Sequence, residues 1–405
     1  MITEVAEKIR AHQDKLERWF EEKKKGLILP IYSSFDVRNA GFKSVVIDSN
    51  VFPAGFNNIC EESYDDAIAA ITSFISLKYP GTTSIGLVAD TTSNPYYYDN
   101  ILTLKYLFER AGYQTEVGVI ERGSMTVKSF SKGELEMRQF QRNGNRLEID
   151  SFIPDLIVVN NDLSSGDNPL LHGISQPITP KVAHGWFQRK KHLHFDIKNQ
   201  LVKEVSEIIG VDRWKIGAYF EFADDVNFKE RKNFDEIAQK IDVCILEIQQ
   251  KYNEYTISDP PFIFLKGDAS TYGMNAIPFT SGAAFLKINA DQRAKMHRAK
   301  GGREVNEVMI QEGVPTVDQV NNQNAEAVVY CIGDTPIGGF FRSHGKKSAT
   351  ENLNSPGMTF ASFLFCPAHR NKPHGESSNI THDNIEVYNF LARLGVIAIA
   401  MELKS

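Results

Sequence analysis

The sequence predicts an α/β protein built on a mostly parallel sheet. In its first half, apolar runs of strand length alternate with segments of helical period. Polar clusters follow several of those strands, and farther on one buried strand carries a lysine into a small-residue loop.

The elements follow in chain order. Val5, Ile9, Leu16, Trp19 and Phe20 recur at helical spacing over residues 3 to 25, and Lys23 to Lys25 precede Gly26, where cations suit the carbonyl end of a helix. One amphipathic opening helix is expected. Next come the apolar runs Leu27 to Tyr32 and Ser44 to Ile47, a helix from about Ser63 to Tyr79 and a strand from Ile85 to Ala89. A helix from about Asn100 to Ala111 and a strand from Thr115 to Ile120 continue the alternation. The polar interval Glu121 to Asp150 reads as a hairpin or surface excursion, and Ile153 to Val159 as a buried strand. In open α/β sheets ligands bind beyond the carboxyl ends of strands, so Asp90 to Tyr98 and Asn160 to Gly166 are candidate substrate loops. Turn chemistry alone also accounts for that composition.

A second region opens near His184. It continues as a helix to Ile209, a polar helix from Lys229 to Tyr252 and the strand Phe262 to Leu265. Val305 to Gln311 is a further strand, and Ala327 to Cys331 forms a hairpin with Ile337 to Arg342. Leu394 to Met401 is too short to cross a bilayer, which takes roughly 20 apolar residues, and reads as a buried helix. Two domains are expected, residues 1–183 for substrate and 184–405 for nucleotide and catalysis.

Composition narrows the function. With 42% hydrophobic and 24% charged residues the chain is ordinary globular protein, and its net charge of −6 supplies no basic excess for nucleic acid. Cys60, Cys244, Cys331 and Cys366 form no CxxC pair, which disfavours a zinc ribbon or a disulfide scaffold and suits reduced thiols in the cytoplasm. The first residues carry charges and no apolar signal core, so neither export nor membrane association is expected. The ten histidines include no HExxH, and neither a GxSxG elbow nor a GxGxxG turn after a first strand occurs.

What remains points to a nucleotide. Lys266 stands at a strand end before Ser270, Thr271 and Gly273, whose backbone amides can donate to phosphate oxygens. A solvated lysine before an ordinary turn is the plain alternative. Gln311, Glu312 and Val314 end an apolar strand as a hinge suited to an adenine edge. Glu326, Glu351 and Asn354 offer the hard oxygens that Mg2+ prefers, although Glu351 to Gly357 also reads as a surface loop. Arg342 could neutralise a transferred phosphoryl group or simply form a salt bridge at a strand end.

Taken in order, these features resemble the ATP-grasp superfamily of carboxylate-amine ligases. More narrowly, the chain resembles bacterial glutamate-cysteine ligases of the ATP-grasp-related type. The residues behind that likeness are Tyr32 to Lys43, Phe52 to Asn58, Asn160 to Ser164, Gly185-Trp186-Phe187, Lys266 to Met274 and Glu351 to Met358. One departure is Asn275, where relatives carry glycine. The resemblance implies a Rossmann-like first domain followed by an ATP-grasp domain, with ATP and Mg2+ as cofactors and glutamate and cysteine as substrates. It implies that Lys266 and either Lys190 or Lys191 contact the phosphates, that Gln311, Glu312 and Val314 meet the adenine, and that Glu326, Glu351 and Asn354 hold magnesium. Arg342 would hold the transferred phosphoryl group or the acyl phosphate. Arg38, Asn57, Asn58, Asn160 and Asn161 are the candidates for the amino-acid carboxylate and ammonium, which need a planar cation and neutral acceptors. A ligase for other amino acids, or a non-catalytic nucleotide or amino-acid sensor, would share this pattern.

Overall fold

The computed structural model describes residues 2–121, 123–269, 276–298, 302–363 and 378–404. Ser270, Thr271 and Gly273, expected at the phosphates, lie outside them.

The opening amphipathic segment is two helices, α1 (Ile2–Ala11) and α2 (Gln13–Lys24), because the chain leaves helical geometry at His12. The run after Gly26 becomes a strand only at Tyr32, since Pro30 lacks an amide donor. Strands β1 (Tyr32–Asn39) and β2 (Ser44–Asn50) form a hairpin, followed by α3 (Tyr64–Lys78) and β3 (Ser84–Ala89). Helix α4 (Pro95–Arg110) begins earlier than its apolar period indicates: Asn94 caps it through Tyr96 N, and Pro95 fits the first turn. Then come β4 (Gln114–Val119), the hairpins β5 (Met125–Lys128) with β6 (Glu134–Gln139) and β7 (Gln141–Asn143) with β8 (Arg146–Glu148), β9 (Leu156–Val159), delayed by Pro154, and β10 (Ile178–Thr179).

The second half runs α5 (Lys191–Ile209), β11 (Phe220–Ala223), α6 (Phe234–Glu254), β12 (Ile263–Gly267), β13 (Ala276–Phe279), α7 (Gly282–Leu286) and α8 (Ala290–His297). It ends with β14 (Val308–Glu312), β15 (Gln319–Val320), β16 (Gln323–Ile332), β17 (Thr335–Ser343), β18 (Thr359–Phe363) and α9 (His382–Glu402).

The expectation of one mostly parallel sheet holds for only one of the sheets. In the order β10-β9-β3-β4-β6-β5, every pair is parallel except β6 with β5. A second sheet, β18-β17-β16-β1-β2 with β15 beside β16, is antiparallel throughout, as is a third, β11-β14-β12-β13. The reason is long-range pairing: β1 meets β16 with Ser33 opposite Cys331, a partner that local periodicity does not reveal. That sheet takes strands from both sides of residue 183.

Helix α9 is apolar on every face from Leu394 to Ala400 because that stretch is wholly buried, and 72% of its most apolar window is covered by the antiparallel sheet and by α1 and α5. Thr381 and Asn384 cap it reciprocally. Gly395 permits its close approach to β1, since a Cβ there would lie 2.3 Å from the Phe35 ring. The third sheet has its own core, where Ile263, Leu265 and Ile310 meet Ile237 and Ile241 of α6.

Candidate active site

Side chains two apart on a strand share a face, so Asp36 and Arg38 of β1 project together. Pairing brings Asp48 of β2 opposite Asp36, and Glu326 of β16 opposite Arg342 of β17. The result is a buried chain of charges. Arg38 Nε donates to Glu326 Oε2 at 2.8 Å, Arg342 Nη1 donates to Glu326 Oε1 at 2.7 Å, and the same Nη1 donates to Asp36 Oδ2 at 2.8 Å. Burial alone would push the Glu326 carboxyl up, but the two guanidiniums outweigh it and lower its pKa. Burial likewise opposes charge on Arg342, which Asp36 and Glu326 more than offset.

The third sheet supplies the facing wall. Lys266 of β12 donates to the carbonyl of Ile47 at 2.9 Å and to Gln311 Oε1 of β14 at 2.6 Å, while burial lowers its pKa to about 8. Lys191, the first residue of α5, pairs with Asp48 at 2.5 Å and lies over the Trp186 ring. Burial pushes the Asp48 carboxyl up, and Lys191 and Lys266 pull it below its ordinary value. Three lysines thus grip successive residues of β2, for Lys198 donates to the Val46 carbonyl at 3.0 Å.

Between the two sheets lies a cavity of about 50 Å³, lined by Asp36, Arg38, Lys191, Lys266, Gln311 and Glu326, with Asn352 and Asn354 beside them. A second cavity of about 660 Å³ adjoins it and shares Asp36, Asp48 and Asn354. Asn57, Asn58, Asp162 and Arg342 line this larger one, as do Asp90, Thr92, Asn94, Tyr96 and Tyr97 of the first expected substrate loop. An aromatic floor of Phe52, Trp186, Tyr330, Phe340 and Phe360 completes it.

Several expected residues are engaged elsewhere. The Glu312 carboxylate accepts from Lys43 Nζ at 2.7 Å, Trp214 Nε1 at 2.9 Å and Tyr219 N at 2.9 Å, so any contact with adenine falls to its backbone. The Val314 carbonyl accepts from Arg38 at 3.2 Å. Gln311 keeps Nε2 without a hydrogen-bond partner among the described residues. Lys190 pairs with Glu307 rather than lining either cavity. Asn160 is tied to Pro53 O at 3.0 Å and Asn100 at 3.1 Å, and Asn161 to Glu121 and Leu163 N, so both brace the loop instead of lining a cavity. Arg38 contacts protein groups: Glu326 and the carbonyls of Val314, Ala349 and Glu351.

Glu351 reaches the site through its backbone alone. Its carbonyl accepts from Arg38 at 2.6 Å, while its carboxylate turns to Lys347 Nζ at 2.8 Å and Ser348 N at 2.9 Å, and Lys347 chiefly holds its pKa down at about 2. Glu351→Ala is therefore expected to lower turnover less than about tenfold, as steady-state kinetics would show, because the backbone contact survives.

Asp36 and Asp48 were not singled out by sequence. The available signal was a pair of charges, Asp36 and Arg38, at alternate positions of a strand whose eight residues are all buried.

Residues 6–403 match the family model described as glutamate-cysteine ligase. The chain belongs to the glutamate-cysteine ligase family. Within this ligase family, a crystal structure provisionally named gamma-glutamylcysteine synthetase, from Methylobacillus flagellatus KT, is 32% identical, with a TM-score of 0.88 over 100% of this chain and 96% of that one. More distant are D-alanyl-alanine synthetase A from Vibrio cholerae O1 biovar eltor str. N16961, at 12% identity and TM-score 0.38 over 78% of this chain and 81% of that one, and a glutathione synthetase-like effector from Globodera pallida, at 11% and 0.42 over 88% and 84%. No curated protein matches the chain. Family membership makes the ligase an ATP-dependent enzyme of small molecules.

Proposed function

We propose that this protein joins the γ-carboxylate of glutamate to the amine of cysteine, using ATP and Mg2+ and passing through γ-glutamyl phosphate. The carrying observation is that Lys266, Lys191 and Gln311 line one cavity, Arg342 and Asn57 line its neighbour, and Asp36 belongs to both. Such a junction lets a phosphoryl group pass from one compartment to an acid held in the other.

Lys266 and Lys191 would exchange their present acceptors, Gln311 with the Ile47 carbonyl and Asp48, for phosphate oxygens. Gln311 Nε2 is an available donor for the nucleotide, with the backbone of Glu312 and Val314 alongside. Arg342 would steady the transferred phosphoryl group, and its Nε has no hydrogen-bond partner among the described residues. Asn57 and Asn58 would meet the amino acids, and the buried Asn57 Oδ1 is an acceptor without a partner among the described residues.

Magnesium fits the donor chemistry. Glu326 and Asn354 offer hard oxygens at the cavity wall, and among the described residues each Glu326 oxygen accepts one guanidinium hydrogen bond, leaving further lone pairs. When bound, the ion would offset charge on the transferred phosphoryl group.

The antiparallel sheets around Lys266 support an ATP-grasp reading of the second half, and the parallel β9-β3-β4 set with α4 supports a Rossmann-like reading of residues 1–183. Cys60, Cys244 and Cys331 are buried and carry their sulfur as the thiol, which accords with a cytoplasmic setting. The test is steady-state ADP release by purified protein with ATP and magnesium, which should require both glutamate and cysteine and yield γ-glutamylcysteine by mass spectrometry. Equal turnover with another amino-acid pair would remove the substrate assignment.

A further inference from the structure

We propose that Asp36 is the general base that takes a proton from the acceptor amine as it attacks the acyl phosphate, a role that rests on the ligase reading above. Asp36 is shared by the two cavities, so it stands where the nucleotide compartment meets the amino-acid compartment. It is 5% exposed. Arg342 holds its Oδ2 at 2.8 Å, while Oδ1 has no hydrogen-bond partner among the described residues.

The neighbouring carboxylates are committed otherwise. Asp48 is paired with Lys191, and Glu326 gives one oxygen to each of two guanidiniums. Asp90 and Asp162 line the larger cavity alone. The charged groups around Asp36 are Arg342 from β17, Glu326 from β16, Asp48 from β2, Arg38 on its own strand and Lys266 from β12. Burial raises the Asp36 carboxyl pKa, Arg342 opposes this, and Glu326 and Asp48 add to the rise, which makes a stronger base than an exposed aspartate.

An amino acid arrives at neutral pH as an ammonium, which has no lone pair with which to attack. One N–H proton passes to Asp36 Oδ1, and the freed pair forms the C–N bond at the acyl carbon. The bond from that carbon to the phosphate oxygen then breaks, and its electrons leave with phosphate. The remaining excess N–H proton departs with phosphate as the adduct collapses to the amide. Arg342, bonded to the other oxygen of the same carboxylate, keeps the base beside the phosphoryl group it serves.

Changing the nucleophile tests this assignment. Hydroxylamine is already unprotonated at neutral pH and needs no base, so it should trap glutamyl phosphate as a hydroxamate. In Asp36→Asn, whose amide oxygen can still accept from Arg342, cysteine-dependent turnover should fall about 100-fold, while hydroxamate formation from glutamate and ATP should fall only about threefold. At saturating ATP the variant's ratio of cysteine to hydroxylamine rates should climb as pH is raised toward the pKa of the cysteine ammonium, while the wild-type ratio stays nearly level. Equal losses with both nucleophiles would place Asp36 in the phosphoryl-transfer step or in folding and overturn the proposal, as would an unchanged rate with cysteine. Absence of glutamate-dependent hydroxamate in the wild type would overturn the ligase reading itself, and the base with it.

Discussion

Lys266→Met is expected to lower kcat/KM for ATP about a thousandfold, roughly 4 kcal/mol of lost transition-state stabilisation. Methionine keeps the unbranched apolar stem beside the Phe264 ring and removes the ammonium with its bonds to Gln311 and the Ile47 carbonyl, so the loss should report charge. The ammonium lies between two sheets, where a fixed cation acts in a medium less polarisable than water. A second readout follows from titration. Burial depresses Lys266 to about 8, so the free wild-type enzyme should lose affinity for the triphosphate as pH rises through that value, giving an alkaline limb in kcat/KM that the variant lacks. Stability should move the opposite way. The protonated lysine is less favourable in the fold than in the unfolded chain, a penalty fully present below about pH 8 and relieved as pH rises toward the ordinary lysine value of 10.5. The variant should therefore resist urea at neutral pH at least as well as wild type. Wild-type kinetics in Lys266→Met would remove the nucleotide from this cavity.

The sequence pattern reached the helices and the strand-end residues because their signals are local. Lys266 and Gln311 lie on neighbouring apolar strands, and Phe264 opposite Gln311 sets their mutual register. Their convergence was legible from strand ends alone. Asp36 and Asp48 were not, because their meeting depends on the β1–β2 register, which shifts between Asp36 and Val37, and the tie from Asp36 to Arg342 spans 306 residues. Asn160 and Asn161 show the converse. Their position after β9 was legible, but an asparagine that bridges buried backbone to another amide has the same local sequence as one awaiting a ligand. Glu351 marks a third limit, since sequence names a side chain while here the backbone carbonyl makes the contact.

Glu326→Ala should be the most destabilising change in the site, costing about 3–5 kcal/mol, because it leaves buried guanidiniums without their carboxylate. The loss falls unequally. Arg342 retains Asp36 at 2.8 Å, whereas Arg38, 1% exposed, would keep among the described residues the carbonyls of Val314, Ala349 and Glu351 and the face of the Phe264 ring, none of them an anion. Carbonyl dipoles do not neutralise a full charge, so Arg38 would be expected to draw in water or shift, loosening β1 from the segment that carries Asn352 and Asn354. Urea unfolding at pH 7 gives the magnitude, and its pH dependence identifies the cause. The Glu326 pKa is lowered in the fold, so its contribution is fully present above the unfolded carboxyl value near 4.5 and is lost as pH falls toward the folded one. The gap between wild type and variant should thus be widest at neutral pH and narrow in acid. A gap that stays constant from pH 7 into acid would mean that the cost comes from lost packing at residue 326, and that Arg38 and Arg342 do not depend on its charge.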